Sequence, residues 1–129
     1  MFASKWINLA LNEAKKAYKK NNVPIGCVII KDNKLIAKAH NQEFWHAEII
    51  AIEKAQKKTK DKFLNNCQIF CTLEPCPMCL HAIKLSRIKT LIYFENNNNE
   101  PLPQLEKIKI HSEKSKKFLI DFFKNKRKL

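Results

Sequence analysis

One glycine serves the whole chain of 129 residues, and it lies inside its most apolar run, Val23-Pro24-Ile25-Gly26-Cys27-Val28-Ile29-Ile30. Phosphate loops of the Walker or dinucleotide-binding kind need several glycines where the backbone approaches the phosphates, so those folds are excluded. The run reads as a strand buried on both faces. Within it, Gly26 marks a bulge or a close backbone approach, and either a ligand or a packed helix fits the gap.

Around that strand the apolar periodicity alternates between helix and strand. Phe2, Trp6, Ala10, Ala14 and Ala17 recur every three to four residues, which predicts an amphipathic helix over 2–20, ended by Asn21-Asn22. Asp32-Asn33 is a tight-turn pair, and Leu35–His40 returns as a second strand. After a short loop, His46-Ala47-Glu48 opens a helix with Ile49, Ile50, Ala51, Ile52 and Ala55. Residues 68–72 read as a strand, and Pro75–Cys79 begin a helix to about Ser86, with Pro77 in its first turn. Thr90–Phe94 is a strand, 96–103 a polar loop, and Ile108 and Ile110 alternate as in an edge strand. Ser112 then caps a last helix with Phe118, Leu119, Phe122 and Phe123 on its apolar face. The expected fold is α/β, a three-layer α/β/α sandwich around a mixed five-stranded sheet, with 1–129 as a single domain.

With 45% hydrophobic residues the chain can fill one core, and no apolar run approaches the roughly 18 residues of a membrane span. The start, Met1-Phe2-Ala3-Ser4-Lys5, lacks a signal-peptide pattern, so cytoplasm is the expected compartment. Five cysteines there read as thiols or metal ligands rather than a disulfide framework. The net charge of +13 comes from lysine far more than arginine, since only Arg87 and Arg127 are arginines. Such a charge attracts a phosphate backbone. An A+T-rich codon bias would give the same composition without any polyanionic partner.

Two short elements carry the chemistry: His46-x-Glu48 and Pro75-Cys76-x-x-Cys79. One imidazole and two thiolates make a three-ligand Zn²⁺ site with its fourth position open, the form that catalyses rather than merely braces a fold. Both clusters fall at expected helix N-termini, where unpaired N–H groups favour thiolates. Glu48, two residues from His46, does not share its helix face and is placed to move a proton rather than to ligate. A redox CxxC and a structural zinc site are the competing readings. The latter needs a fourth ligand from Cys27, Cys67, Cys71, His40 or His81. Of these, Cys27 and Cys71 read as buried thiols, Cys67 as a loop thiol and His81 as a surface residue.

The order His46-Ala47-Glu48 … Pro75-Cys76-x-x-Cys79 resembles the zinc-dependent cytidine and nucleobase deaminases. Val23–Val28, Asn41, His46–Ile49, Thr72–Cys79, Ser86-Arg87-Ile88 and Asp121–Arg127 are similar to segments of the bacterial tRNA adenosine deaminases among them. The resemblance implies a cytidine-deaminase-like fold and one Zn²⁺ per subunit on His46, Cys76 and Cys79, with Glu48 as the catalytic proton carrier. It places Asn41, Ala47 and Gly26 at the substrate, and Phe122, Phe123, Lys124, Lys126 and Arg127 at the RNA. The implied reaction is hydrolytic conversion of adenosine to inosine at wobble position 34 in the anticodon loop of tRNA, with tRNA-Arg as substrate. A homodimer is implied too, for which Leu80, Ile83 and Leu85 offer apolar surface or ordinary core.

The chain departs from that pattern in two places. Only Gln42-Glu43-Phe44-Trp45 separates Asn41 from His46; Phe44 and Trp45 either supply an aromatic wall for the base in place of the longer loop or pack in the core, and at least one is expected in the core. The stretch after Phe94 is short and rich in asparagine. Two rival functions follow from the same motifs: a small-molecule deaminase of guanine or cytosine type, and a degenerate zinc-folded RNA-binding subunit. The basic, phenylalanine-bearing terminus counts against the first, the intact Glu48 against the second.

If the terminus serves RNA, deleting residues 124–129 will raise the Kd for tRNA and flatten its salt dependence, by about one unit of slope for each phosphate no longer neutralised. Titrations at several salt concentrations test this. An unchanged affinity and slope would make the terminal charge a product of codon bias.

Overall fold

The buried run folds as β1 (Gly26–Lys31), the second strand in from the edge of a five-stranded sheet ordered β2-β1-β3-β4-β5. The strand begins at Gly26 rather than Val23. Pro24 has no N–H to give a ladder, and the Ile25 N–H turns back onto the Val23 carbonyl at 2.7 Å. The computed structural model describes residues 2–97, 105–114, 116, 117, 120 and 121.

Helix α1 (Phe2–Lys19) precedes β1, and β2 (Lys34–His40) returns antiparallel to it. Asp32 and Asn33 make the hairpin turn, both with left-handed φ (51° and 60°), as a two-residue turn between twisted strands requires. Helix α2 (Ala47–Thr59) stops at Lys60, itself left-handed. Strand β3 (Cys67–Leu73) pairs antiparallel with β1, and helix α3 (Pro77–Leu85) carries the chain over to β4 (Thr90–Glu95), parallel to β3. Strand β5 (Glu106–Lys109) adds in parallel at the far edge. The mixed sheet matches the expected one in its strands and their order along the chain.

Alternate residues of each strand face opposite layers. Cys27, Ile29, Ile69, Cys71 and Leu91 pack under α2 and α3, against Ala51, Ala55, Leu80 and Ile83. Val28, Ile30, Phe70, Ile92 and Phe94 face the other way, against Trp6 and Ala10 of α1. Residues 113, 114, 116, 117, 120 and 121 are helical, as the Ser112 cap predicts, and Lys114, Lys117 and Asp121 share a cleft with Asn8, Asn12 and Lys15 of α1. Phe118, Leu119 and the five expected RNA contacts, Phe122, Phe123, Lys124, Lys126 and Arg127, lie outside the described residues.

One expectation is corrected, that for Cys67, and two open readings are narrowed. Gly26 packs against α1: a Cβ there would stand 2.1 Å from the Ala10 carbonyl oxygen and 2.6 Å from the Ala14 nitrogen. Its φ is not positive, so close approach, not backbone freedom, demands the glycine. An alanine would push α1 off the sheet, at about 1–3 kcal/mol for overpacking. Cys67 is not a loop thiol but the buried first residue of β3. Of the residues that could offer apolar surface or core on α3, Leu80 and Ile83 are core and Leu85 is 75% exposed.

Candidate active site

Helix N-caps are usually Ser, Thr, Asp or Asn, whose side chains accept from the first free N–H groups. Here His46 caps α2 and Cys76 caps α3, both with extended backbone and neither with a side-chain cap bond. The two side chains are thereby free for another task. On α2 the missing cap is supplied from a distance: the Asn41 Oδ1 accepts the Ala47 N–H at 2.7 Å.

The freed groups converge. His46 Nδ1 lies 3.3 Å from Cys79 Sγ and 3.6 Å from Cys76 Sγ, and all three atoms lie within 4.8 Å of one another. Tetrahedral zinc with ordinary Zn–N and Zn–S bonds holds nitrogen and sulfur about 3.5 Å apart and two sulfurs about 3.8 Å apart. The donor set fits that ion in type and in spacing. Cys79 is fully buried while His46 and Cys76 are half-buried, so the cluster opens to one side.

Glu48 completes the centre. It is 2% exposed, and its Oε1 has no hydrogen-bond partner among the described residues. Burial pushes its carboxyl above the usual carboxylate range, against the opposing pull of its backbone hydrogen bond and of His46. Burial also drives the Cys79 thiol far up, helped by the neighbouring Glu48 and Cys76 charges. This crowding of acidic groups is what a divalent cation relieves when it takes two thiolates.

None of the candidate fourth ligands joins the cluster. Cys27 and Cys71 are a fully buried cross-strand pair with sulfurs 3.2 Å apart. His40 turns its Nδ1 to Glu13 Oε1 at 3.1 Å, on the α1 side. Burial raises the Glu13 carboxyl, but hydrogen bonds from Lys16 and His40 outweigh it and the net shift is downward. Cys67 pairs in register with Lys31 at the far end of β1, and His81 is exposed on α3. Ala47, expected at the substrate, has its side chain fully buried in the core and its N–H committed to Asn41.

Sequence reasoning missed Glu74. It directly precedes Pro75-Cys76, is 3% exposed along its side chain, and forms an ion pair with Lys107 of β5. Its Oε1 also accepts the Asn97 N–H at 3.0 Å, and its own N–H donates to the Glu95 carbonyl at 2.8 Å. These contacts tie the loop carrying Cys76 to β4 and β5. A charged residue just before the metal loop was the available signal, but its partner lies 33 residues on.

The family model for the cytidine and deoxycytidylate deaminase zinc-binding region matches residues 2–95. The chain belongs to this deaminase family. Among its relatives, the tRNA-specific adenosine deaminase of Aquifex aeolicus (strain VF5) is 42% identical over 94 residues, covering 68% of this chain. The chain spans 62% of that protein's length. The tRNA-specific adenosine deaminase of Buchnera aphidicola subsp. Schizaphis graminum is 36% identical over 144 residues, covering 96% of this chain and 95% of that one. A solved structure from a study of A-to-I editing by tRNA:A34 deaminases has a TM-score of 0.78 at 28% identity, over 84% of this chain and 98% of that one. The guanine deaminase of Bacillus subtilis shares the fold at a TM-score of 0.68 and 26% identity, over 98% and 94% of the two chains. The deaminase fold thus serves both RNA and free-base chemistry.

Metal analysis of the purified deaminase should find about one zinc per chain. Cys76→Ser and Cys79→Ser should each bind zinc at least about tenfold more weakly, since a neutral hydroxyl replaces a thiolate. Full zinc retention in both variants would assign the ligands elsewhere.

Proposed function

We propose that this chain is a zinc-dependent hydrolase, a single deaminase domain over 1–129, that converts adenosine to inosine at wobble position 34 of tRNA, with tRNA-Arg as substrate. The observation that carries the reading is Glu48, a buried carboxyl group with one oxygen that has no partner among the described residues, beside a His/Cys/Cys donor set. An unsatisfied buried polar group costs about 1–3 kcal/mol, more when charged. A zinc-folded RNA-binding subunit would bear that cost for nothing, because the donors alone hold the ion.

One Zn²⁺ per subunit is held by His46, Cys76 and Cys79. When bound, zinc supplies a Lewis-acidic position that brings the pKa of a coordinated water toward neutrality. Glu48 takes the two protons of the attacking water in turn, delivering one to ring N1, where it stays, and the other to the exocyclic amine, which leaves as ammonia. A C6–O bond forms, the C6–N bond breaks, and inosine and ammonia are the products. Asn41 spends its oxygen on Ala47, which leaves its amide N–H₂ to donate to the flipped nucleoside.

The names of the relatives and the chain's charge of +13 support an RNA substrate. An anticodon loop is single-stranded, so extruding one base is cheap. Phe122 and Phe123 stack on flanking bases while Lys124, Lys126 and Arg127 meet phosphates. A guanine or cytosine deaminase would use the same donors but gains nothing from that terminus. The protein acts in the cytoplasm as a homodimer, which the apolar cleft of Ile49, Ile52, Phe63 and Leu85 supports. No helix among the described residues is long and apolar enough to cross a membrane.

Glu48→Ala should keep zinc and fold but lose about 10³-fold or more in single-turnover inosine formation, as expected for removal of the group that moves both protons. A variant that retains a tenth of the wild-type rate would assign the proton transfer to another residue.

A further inference from the structure

Phe44 and Trp45 are adjacent aromatic residues, 91% and 64% exposed, where core packing was expected of at least one. Single exposed apolar side chains need no explanation, but a contiguous aromatic pair beside a site does. The pair adjoins a metal donor in the chain: Trp45 directly precedes His46. In the other donor segment Met78, between Cys76 and Cys79, is 57% exposed. Each donor segment therefore carries an exposed apolar side chain next to a ligand in sequence.

The rings are not on a loose loop. The Gln42 N–H donates to the Trp45 carbonyl at 2.9 Å and the Trp45 N–H to the Gln42 carbonyl at 2.7 Å, closing a two-residue turn. Glu43 takes a left-handed φ of 47°, and its N–H donates to Asn22 Oδ1 at 3.1 Å, which pins the turn to the end of α1. Beside Trp45 a cleft of about 310 Å³ is lined by Lys20, Asn22, Gln42 and Glu43. A rigid aromatic face next to a cation, on a chain of charge +13, is how proteins hold single-stranded nucleic acid: bases stack and the cation meets phosphate.

We propose that Phe44 and Trp45 form a stacking platform for unpaired RNA bases that flank the target base. The inference rests on the RNA substrate proposed for this site and adds to it a second contact region, in the chain segment that leads into the metal site. Base-paired RNA hides its ring faces, so the platform selects single-stranded or splayed segments.

The chain has two tryptophans, and Trp6 is 1% exposed, so a change of tryptophan emission on RNA binding reports Trp45. The experiment uses the zinc-loaded full chain and an anticodon stem-loop RNA containing adenosine at the wobble position. Emission should be quenched on titration, and Trp45→Ala should abolish the quenching. By anisotropy of labelled RNA, Kd should rise about tenfold for Trp45→Ala and further for the Phe44→Ala/Trp45→Ala pair. Trp45→Phe should restore most of the affinity, and the salt slope should not change, because no charge is removed. Zinc content verifies that each variant is folded.

A double variant that binds within twofold of wild type overturns the proposal. So does an unchanged affinity accompanied by loss of a dimer in sedimentation, which would assign the rings to a second copy of the chain. If the wild type deaminates the RNA while the double variant binds normally, this inference alone fails. If the wild type neither binds nor deaminates it, the RNA reading fails as well.

Discussion

The imidazole of His46 and the thiols of Cys76 and Cys79 come from segments 30 and 33 residues apart, and no local preference brings them together. The sheet does. β2 lies on one side of β1 and β3 on the other, both antiparallel to it, so the chain leaves β2 and β3 at the same end of the sheet. There it enters α2 through His46 and α3 through Cys76. Neither N-cap residue caps its helix through its own side chain, a bond worth about 1 kcal/mol, and α2 receives that bond from Asn41 instead. In return the first-turn N–H groups and helix dipoles are aimed at thiolates, the state in which cysteine binds metal.

The rest of the structure holds that junction still. Gly26 lets α1 lie against the start of β1, so the strand behind the site is buried on both faces. Asn41 caps α2 in place of His46, which ties the end of β2 to the helix that carries Glu48. Glu74 does the corresponding work for Cys76, through Lys107 and the Asn97 N–H. Breaking such a buried ion pair typically costs about 3–5 kcal/mol, because the partner is left charged and dry. The short β5 thereby supports the metal loop as well as the sheet edge.

Much of this was legible in the sequence, since it is written in local patterns. The 3.6-residue period of Trp6, Ala10, Ala14 and Ala17, the Asp32-Asn33 turn and the apolar runs of β1, β3 and β4 each identify one element. The donor set was legible because its spacing is short and its chemistry narrow. What the sequence leaves open or misplaces depends on a remote partner. In sequence a ligand and a helix fit beside Gly26 equally well, and in the fold the Ala10 carbonyl lies against it. Cys67 follows two asparagines, and only its pairing with Lys31 makes it a strand residue. At least one of Phe44 and Trp45 was expected in the core, and both are exposed on the tight Gln42–Trp45 turn.

In the proposed reaction a buried glutamate beside a His/Cys/Cys donor set works on adenosine within RNA. The most direct test incubates the zinc-loaded chain with a panel of tRNAs, beside free adenosine, cytidine and guanine, and measures inosine in the RNA and ammonia release from the small molecules. The expected result is inosine at position 34 of tRNA-Arg with no appreciable turnover of the free compounds. Ammonia from guanine or cytidine with no inosine in any tRNA would contradict it and make the chain a small-molecule deaminase.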